Sequence, residues 1–140
     1  MKYELSYDKE HDLIVGRVEG DIDPVLVKKM ASEFADIIET SGCHKLLNDL
    51  RDAKITPSTL DIYNMPRIIS KQGVHLACKR ALVVPEASDD FRFLETVSVN
   101  VGQQVRIFTD PEAAIEWLSD DHKSPYNFKK AARRTDELPS

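Results

Sequence analysis

The segment KLLNDLRDAKITPSTLDIYNMP, residues 45–66, indicates the fold class because it joins a strand pattern to a helix pattern. Its first six residues, KLLNDL, have the short apolar centre of a buried strand. Thr56 and Pro57 then have the order of a helix cap followed by a proline at the first helical position. A strand followed at once by a helix is the repeating unit of a parallel sheet.

The helix of this segment has an apolar face at Ile62, Met65 and Ile69, which recur at helical spacing. Pro66 lies inside it and lacks an amide proton, so we expect a kink or two short helices there.

Strands and helices alternate on both sides of this segment. Strands are predicted over residues 2–8, 13–19, 45–50, 80–84 and 104–108. Helices are predicted to begin at caps provided by Asp21 or Asp23, Thr56, Ser88 and Asp110. The predicted fold is therefore α/β, in the order β-β-α-β-α-β-α-β-α, with a mostly parallel central sheet, an antiparallel edge strand and helices packed on the sheet.

Length and composition predict one domain. The chain has 140 residues, 41% of them hydrophobic, which is enough for a core without disulfides or metals. We assign residues 1–119 to the domain and interpret residues 120–140 as a polar, loosely ordered tail.

Charge, hydropathy and the placement of the cysteines argue against several classes of partner and of site. A net charge of −5 spread along the chain predicts no nucleic-acid partner, and no apolar run is long enough for an integral membrane segment. The two cysteines are far apart and suit reduced core thiols. We therefore expect a cytoplasmic protein with no cofactor and no metal.

Asp49, Arg51 and Asp52 follow the third predicted strand, in a loop at the edge where parallel sheets carry their functional residues. Paired carboxylates beside a cation suit acid–base chemistry in principle. Neither a histidine nor a nucleophile accompanies them in this segment, so a salt-linked, partner-binding strand end is the preferred interpretation, with no catalytic residue assigned.

The start of the next helix provides candidate phosphoacceptors. Ser58 and Thr59 follow the Thr56 cap, where free amide groups and the helix dipole favour a phosphate. A phosphoryl group there would alter the charge that a partner meets.

An apolar ligand pocket is a further candidate. Tyr63, Met65, Phe91 and Phe93 are large side chains on two predicted helices and could line such a pocket. Stripes at helical spacing also occur as ordinary core, and both interpretations remain open.

Four segments together carry a family resemblance: VEGDID, LLNDLRDAKITPSTLDIYNMP, RALVV and VRIFTDPEAAIEWL. In them the chain resembles the SpoIIAA-like proteins, relatives of the STAS domain of sulphate transporters and anti-sigma factor antagonists. It is similar in particular to their small bacterial branch described as STAS/SEC14-like. The resemblance covers about residues 2–119.

In anti-sigma factor antagonists an Asp-Leu-Ser pattern follows the third strand, and an Asp-Ser-Ser-Gly pattern with the phosphorylated serine begins the next helix. Asp49 and Leu50 match the first pattern. Residues 56–59, TPST, stand in place of the second, without its aspartate and glycine. The resemblance implies a domain that acts by binding. The similarity to SEC14-like proteins implies that an apolar or lipid molecule is the ligand.

The sequence thus predicts a non-enzymatic, STAS-like regulatory or protein-interaction domain that binds a protein partner through the loop and helix start at residues 49–66. The alternative is a SEC14-like carrier of a small apolar or lipid ligand, and a further alternative is an enzyme using Asp49 and Asp52. The leading hairpin would leave a sheet edge to which a second copy could pair, so a homodimer is also open.

Overall fold

A computed structural model describes residues 2–55 and 59–119 of the chain, so the predicted tail at 120–140 lies outside the described residues. The strands are β1 (Lys2–Asp8), β2 (Leu13–Ile22), β3 (Lys45–Ile55), β4 (Lys79–Val83) and β5 (Gln104–Phe108). The helices are α1 (Pro24–Ser41), α2 (Thr59–Lys71), α3 (Asp89–Asn100) and α4 (Pro111–Ser119).

The five strands form one sheet in the order β1-β2-β3-β4-β5. β1 pairs antiparallel with β2, and the other three pairings are parallel. The predicted α/β fold with one antiparallel edge strand is therefore confirmed. Because successive parallel strands add in one direction with crossovers of one hand, their connecting helices α1, α2 and α3 share one face of the sheet.

Helix α1 shows how local sequence sets the element boundaries. The Asp23 carboxylate accepts a hydrogen bond of 2.8 Å from the Leu26 amide, and Pro24 is the first helical residue. Gly42 ends the helix in a left-handed conformation, with φ of 75°, and its amide donates to the Ile38 carbonyl oxygen.

Apolar side chains form a core on each face of the sheet. The larger core lies between the sheet and α1, α2 and α3, and includes Ile14, Phe34 and Met65. The smaller one lies on the opposite face, where Ala114 and Leu118 of α4 cover Leu47. The alternation of side chains along each strand separates the two sets.

Two predicted strand ends were wrong, and one of the two alternatives for Pro66 is excluded. β2 continues through Gly20 to Ile22, and β3 continues to Ile55, so residues 49–55 are strand rather than loop. The two extensions pair with each other as far as Ile22 opposite Ile55, which satisfies the backbone groups of both. α2 is one continuous helix with Pro66 inside it, so the alternative of two short helices was wrong, and a kink at Pro66 stays a prediction.

None of the helices within the described part of the chain is long and apolar enough to cross a membrane.

Candidate functional site

The candidate site lies where β2 and β3 run together towards the carboxyl end of the sheet. Arg17 is opposite Asp49, and Glu19 is opposite Asp52, so β3 contains one more residue than β2 between these pairs. Such a bulge redirects side chains on the bulged strand. It brings together Arg17, Glu19, Asp49, Arg51 and Asp52, which we call the strand-end cluster.

Asp49 is the centre of the cluster. The Arg51 guanidinium donates from Nε to Oδ1 and from Nη2 to Oδ2 of Asp49, both at 2.9 Å. The Arg51 backbone amide donates a third hydrogen bond of 3.2 Å to Oδ1. The Asp49 side chain is 16% exposed, whereas that of Arg51 is 49% exposed.

Arg17 joins the two strands of the cluster. Its Nη1 donates to Glu19 at 2.8 Å, and its Nη2 donates to Asp52 on the neighbouring strand. Its Nε lies 3.8 Å from Oδ2 of Asp49. Two cations and three carboxylates are therefore held in one fixed arrangement, and all except Asp49 are well exposed.

Hydrogen bonds from Arg51, more than any other interaction, hold the pKa of Asp49 below its ordinary value, and burial acts in the opposite direction. Asp49 is thus a carboxylate that accepts hydrogen bonds near neutral pH and has no proton to donate as a general acid. Among the residues that the structure describes, no three histidine, cysteine or acidic side chains are grouped to hold a metal ion.

The remaining candidates for partner binding lie beside this cluster in sequence. Thr56 and Ser58 lie outside the described residues. Thr59 is the first residue of α2, which follows β3 directly in the order of elements. The helix start at Thr59 therefore follows the strand that contains Asp49, Arg51 and Asp52 of the strand-end cluster.

The four residues predicted to line an apolar pocket do not share one environment. Met65 is buried and borders a cavity between the sheet and the helices. Tyr63 is 47% exposed, and the Arg67 guanidinium lies over its ring. Phe91 is buried in the larger core and Phe93 packs against it, and neither borders the cavity.

That cavity has a volume of about 80 Å³. Helix α1 contributes Leu26, Met30 and Phe34 to its wall, and apolar side chains form most of the remainder. Two polar side chains, Asn48 of β3 and Arg80 of β4, also border it.

Sequence reasoning missed Arg17, Glu19 and Arg80. Arg17 and Glu19 lie in a different strand from Asp49, and only the pairing of β2 with β3 brings them together. Arg80 opens the predicted strand RALVV, and an arginine at a strand start ordinarily suggests an exposed end. The alternation of side chains in β2 could have drawn attention to Arg17, because it places this charged residue on the same face as Leu13 and Val15.

Comparison with known proteins gave matches in structure alone: no family model and no curated protein sequence matches the chain. The anti-sigma factor antagonist SpoIIAA in its unphosphorylated form superposes with a TM-score of 0.55 at 13% identity, over 84% of this chain and 97% of that one. The phosphorylated form of SpoIIAA, described as a Bacillus cell fate determinant, gives a TM-score of 0.53 at 14% identity, over 83% and 99%.

A third match is an uncharacterised protein of the DUF3478 family with a SpoIIAA-like fold, from Shewanella loihica. It gives a TM-score of 0.56 at 13% identity, over 83% of this chain and 93% of that one. Identities this low establish a common fold and nothing about residues. Together with the mixed sheet of five strands and its four helices, these matches establish that the chain has the SpoIIAA-like, STAS-type fold.

Proposed function

We propose that this protein is a STAS-like regulatory domain that binds a protein partner through the strand-end cluster and the start of α2. The observation that carries the proposal is the cluster itself, in which two arginines and three carboxylates on two strands fix one another's positions. The SpoIIAA-like fold supports it, because one structural neighbour is described as an anti-sigma factor antagonist.

The energetics of the cluster favour a role in recognition over a role in stability. Exposed ion pairs contribute about 0–1 kcal/mol each to folding, so a half-exposed network stabilises the domain only slightly. Charges that are already fixed contribute strongly to the choice and orientation of a partner, because little side-chain entropy is lost on binding. Arg17 and Arg51 therefore offer a partner guanidinium groups that neighbouring carboxylates already orient.

The hydroxyl groups of Ser58 and Thr59 complete the proposal as phosphoacceptors that regulate this contact. Thr59 begins α2, and free amides at a helix start favour a phosphate. A phosphate on either hydroxyl would add negative charge to the segment that joins β3 to α2 and would weaken a partner that docks on the existing charges.

The affinity of the isolated partner complex tests this assignment. The partner is first isolated from the source organism with the wild-type chain, and its affinity is then measured for Arg51→Glu, Ser58→Asp and the control Glu39→Lys. Glu39 is exposed near the end of α1, towards the opposite end of the sheet. We expect a loss of about tenfold or more for Arg51→Glu, from repulsion at a fixed charge, and weaker binding for Ser58→Asp.

The control variant should bind like wild type. Equal affinity of wild type and Arg51→Glu, in a variant whose circular dichroism is unchanged, would remove the strand-end cluster from the interface.

The cavity favours a second candidate function, carriage of a small ligand. Its volume of about 80 Å³ is below the cavity of about 150 Å³ that accommodates benzene, so a lipid acyl chain does not fit the described space. The side chains that line the cavity restrict the chemical class of the ligand further.

A further inference from the structure

The cavity between the sheet and helices α1 and α2 has a wall of mixed chemistry. Met30 of α1, Met65 of α2 and Leu82 of β4 are typical of its apolar lining. Asn48 and Arg80 are the two polar side chains among the described residues that border it. A buried cation on an apolar wall is costly and calls for a physical explanation.

Arg80 is 6% exposed, and its Nη1 donates a hydrogen bond of 2.8 Å to Oε1 of Gln103. Gln103 is also buried, and its Nε2 donates at 2.8 Å to the Pro66 carbonyl oxygen, which fixes the orientation of its amide. Within residues 2–55 and 59–119 no carboxylate forms an ion pair with Arg80. One of five guanidinium N–H groups thus has an assigned acceptor.

Burial lowers the pKa of Arg80 to about 10, and Cys78 acts weakly in the opposite direction. The group nevertheless remains a cation near neutral pH. A charge so placed gains far more from a bound anion than an exposed arginine would, because water does not screen the pair.

Asn48 provides a second polar group on the same wall. It lies opposite Leu82 in the pairing of β3 with β4, while Arg80 lies opposite Leu46, two residues earlier. Both side chains therefore face the helix side of the sheet. Across the described parts of the chain, the Asn48 amide makes no side-chain hydrogen bond and can still donate and accept.

We propose that this cavity binds a small monocarboxylate with a short apolar chain. The carboxylate is held by Arg80 and Asn48, and the chain lies among Met30, Met65 and their apolar neighbours. A planar guanidinium matches a carboxylate at two points, and an amide adds a third hydrogen bond. The inference is independent of the proposed partner-binding function, because it uses neither the strand-end cluster nor the helix start.

The size of the cavity restricts the ligand. A volume of about 80 Å³ is roughly half of the 150 Å³ that accommodates benzene, so it restricts the ligand to a carboxylate with one or two further carbon atoms, as in acetate or propionate. Inorganic phosphate would leave the apolar wall without a partner, and a neutral amide of the same shape would leave the cation unpaired.

The chain provides its own probes for a test. It has three methionines, Met1, Met30 and Met65, and the latter two border the cavity. With methionine methyl groups labelled with carbon-13, the NMR spectrum is followed while the full chain is titrated with propionate. We expect saturable shifts at Met30 and Met65, with propionamide and inorganic phosphate at least about tenfold weaker.

Four variants connect the shifts to the proposed contacts. Arg80→Met should lose propionate binding by about tenfold or more, because it removes the charge and keeps the apolar stem. The surface control Arg92→Met should bind like wild type. If Arg80→Met does not fold, Asn48→Leu replaces it, and Ala31→Leu tests occupancy directly by filling the cavity, which Ala31 borders.

Each result decides the proposal. Saturable binding supports the proposal if it requires both the charge of the ligand and the Arg80 side chain. If Arg80→Met does not fold, binding that is lost in Asn48→Leu and in the cavity-filling Ala31→Leu supports it instead. Propionamide that binds as tightly as propionate would mean an apolar cavity indifferent to charge. The absence of saturable shifts with acetate, propionate, butyrate and hexanoate up to millimolar concentrations would mean that the cavity holds water alone. Either of these last two results overturns the proposal.

Discussion

The guanidinium of Arg51 contacts the carboxylate of Asp49 at two points along the same strand, each at 2.9 Å. Side chains two residues apart on a strand project to the same side, so this pair needs little change in backbone to form. The contact lowers the pKa of Asp49 and so keeps its carboxylate ionised near neutral pH.

Replacing Arg51 by glutamine should change stability in a pH-dependent way. The pKa of Asp49 is lower in the folded chain, so its ion pair stabilises the fold above the ordinary aspartate range and loses this effect as pH falls through the lowered pKa. We expect a small loss in the free energy of unfolding at neutral pH, because solvent screens the exposed partner, and this loss should shrink in acid. Urea unfolding of wild type, Arg51→Gln and Arg51→Lys at several pH values measures it. A difference that does not vary with pH would contradict the assignment.

Gly16 should not tolerate a side chain. A Cβ atom at this position would lie 2.7 Å from Cζ of Phe34 and 2.8 Å from Cδ2 of Leu5, closer than packed carbon atoms approach. Gly16→Ala should therefore lower the free energy of unfolding by about 1–3 kcal/mol, as overpacking does.

A double-mutant cycle provides the control for Gly16. Phe34→Leu should relieve part of the Gly16→Ala penalty, so the two changes should not be additive. Gly42→Ala, where the new atom meets nothing within 4 Å but φ is +75°, should be destabilising without any relief from Phe34→Leu. Strict additivity at Gly16 would show that the clash relaxes elsewhere.

Tyr3 should ionise at unusually high pH. Its hydroxyl donates a 2.7 Å hydrogen bond to Oε2 of Glu33 in α1, and this bond is the main cause that raises the pKa of Tyr3 to about 12. Because the folded pKa is above the unfolded one, the contact stabilises the fold below about pH 10 and is lost as pH rises towards 12. The difference in ultraviolet titration between wild type and Tyr3→Phe should show this late transition. A difference centred near pH 10 would contradict it.

The two cysteines should resist thiol reagents in the folded protein. Cys43 and Cys78 are both buried, and burial is the main cause that raises the pKa of each thiol. Ellman's reagent should react slowly with the native chain and rapidly in urea. Rapid reaction of either thiol without denaturant would mean that the surrounding core opens readily.

Local chemistry explains how far the sequence could predict the fold. The caps Asp23, Gly42 and Ser88 act through hydrogen bonds or backbone conformations within a few residues, so they are readable from the chain alone. The extension of β3 to Ile55 was not readable, because the bulge near Asp49 and Asp52 breaks the alternation by which strands are recognised.

The candidate site was predictable only in the part that lies on one segment. Asp49, Arg51 and Asp52 are adjacent in sequence and could be identified there. Arg17 and Arg80 depend on which strands become neighbours and on which face each residue falls, and both are properties of the assembled sheet. Arginine side chains are ordinarily exposed, so the burial of Arg80 could not be predicted from the sequence and is seen only in the folded structure.

The central claim, that a protein partner binds at the strand-end cluster, is tested most directly by photo-crosslinking in cells of the source organism. A photoreactive amino acid is placed at Lys54, exposed on β3 beside the cluster, or at Glu39 on α1 as the control. We predict one discrete crosslinked protein from position 54 that disappears when Arg51→Glu is added, and no such product from position 39. A product from position 54 that survives Arg51→Glu, equal products from both positions, or none from either would contradict the claim.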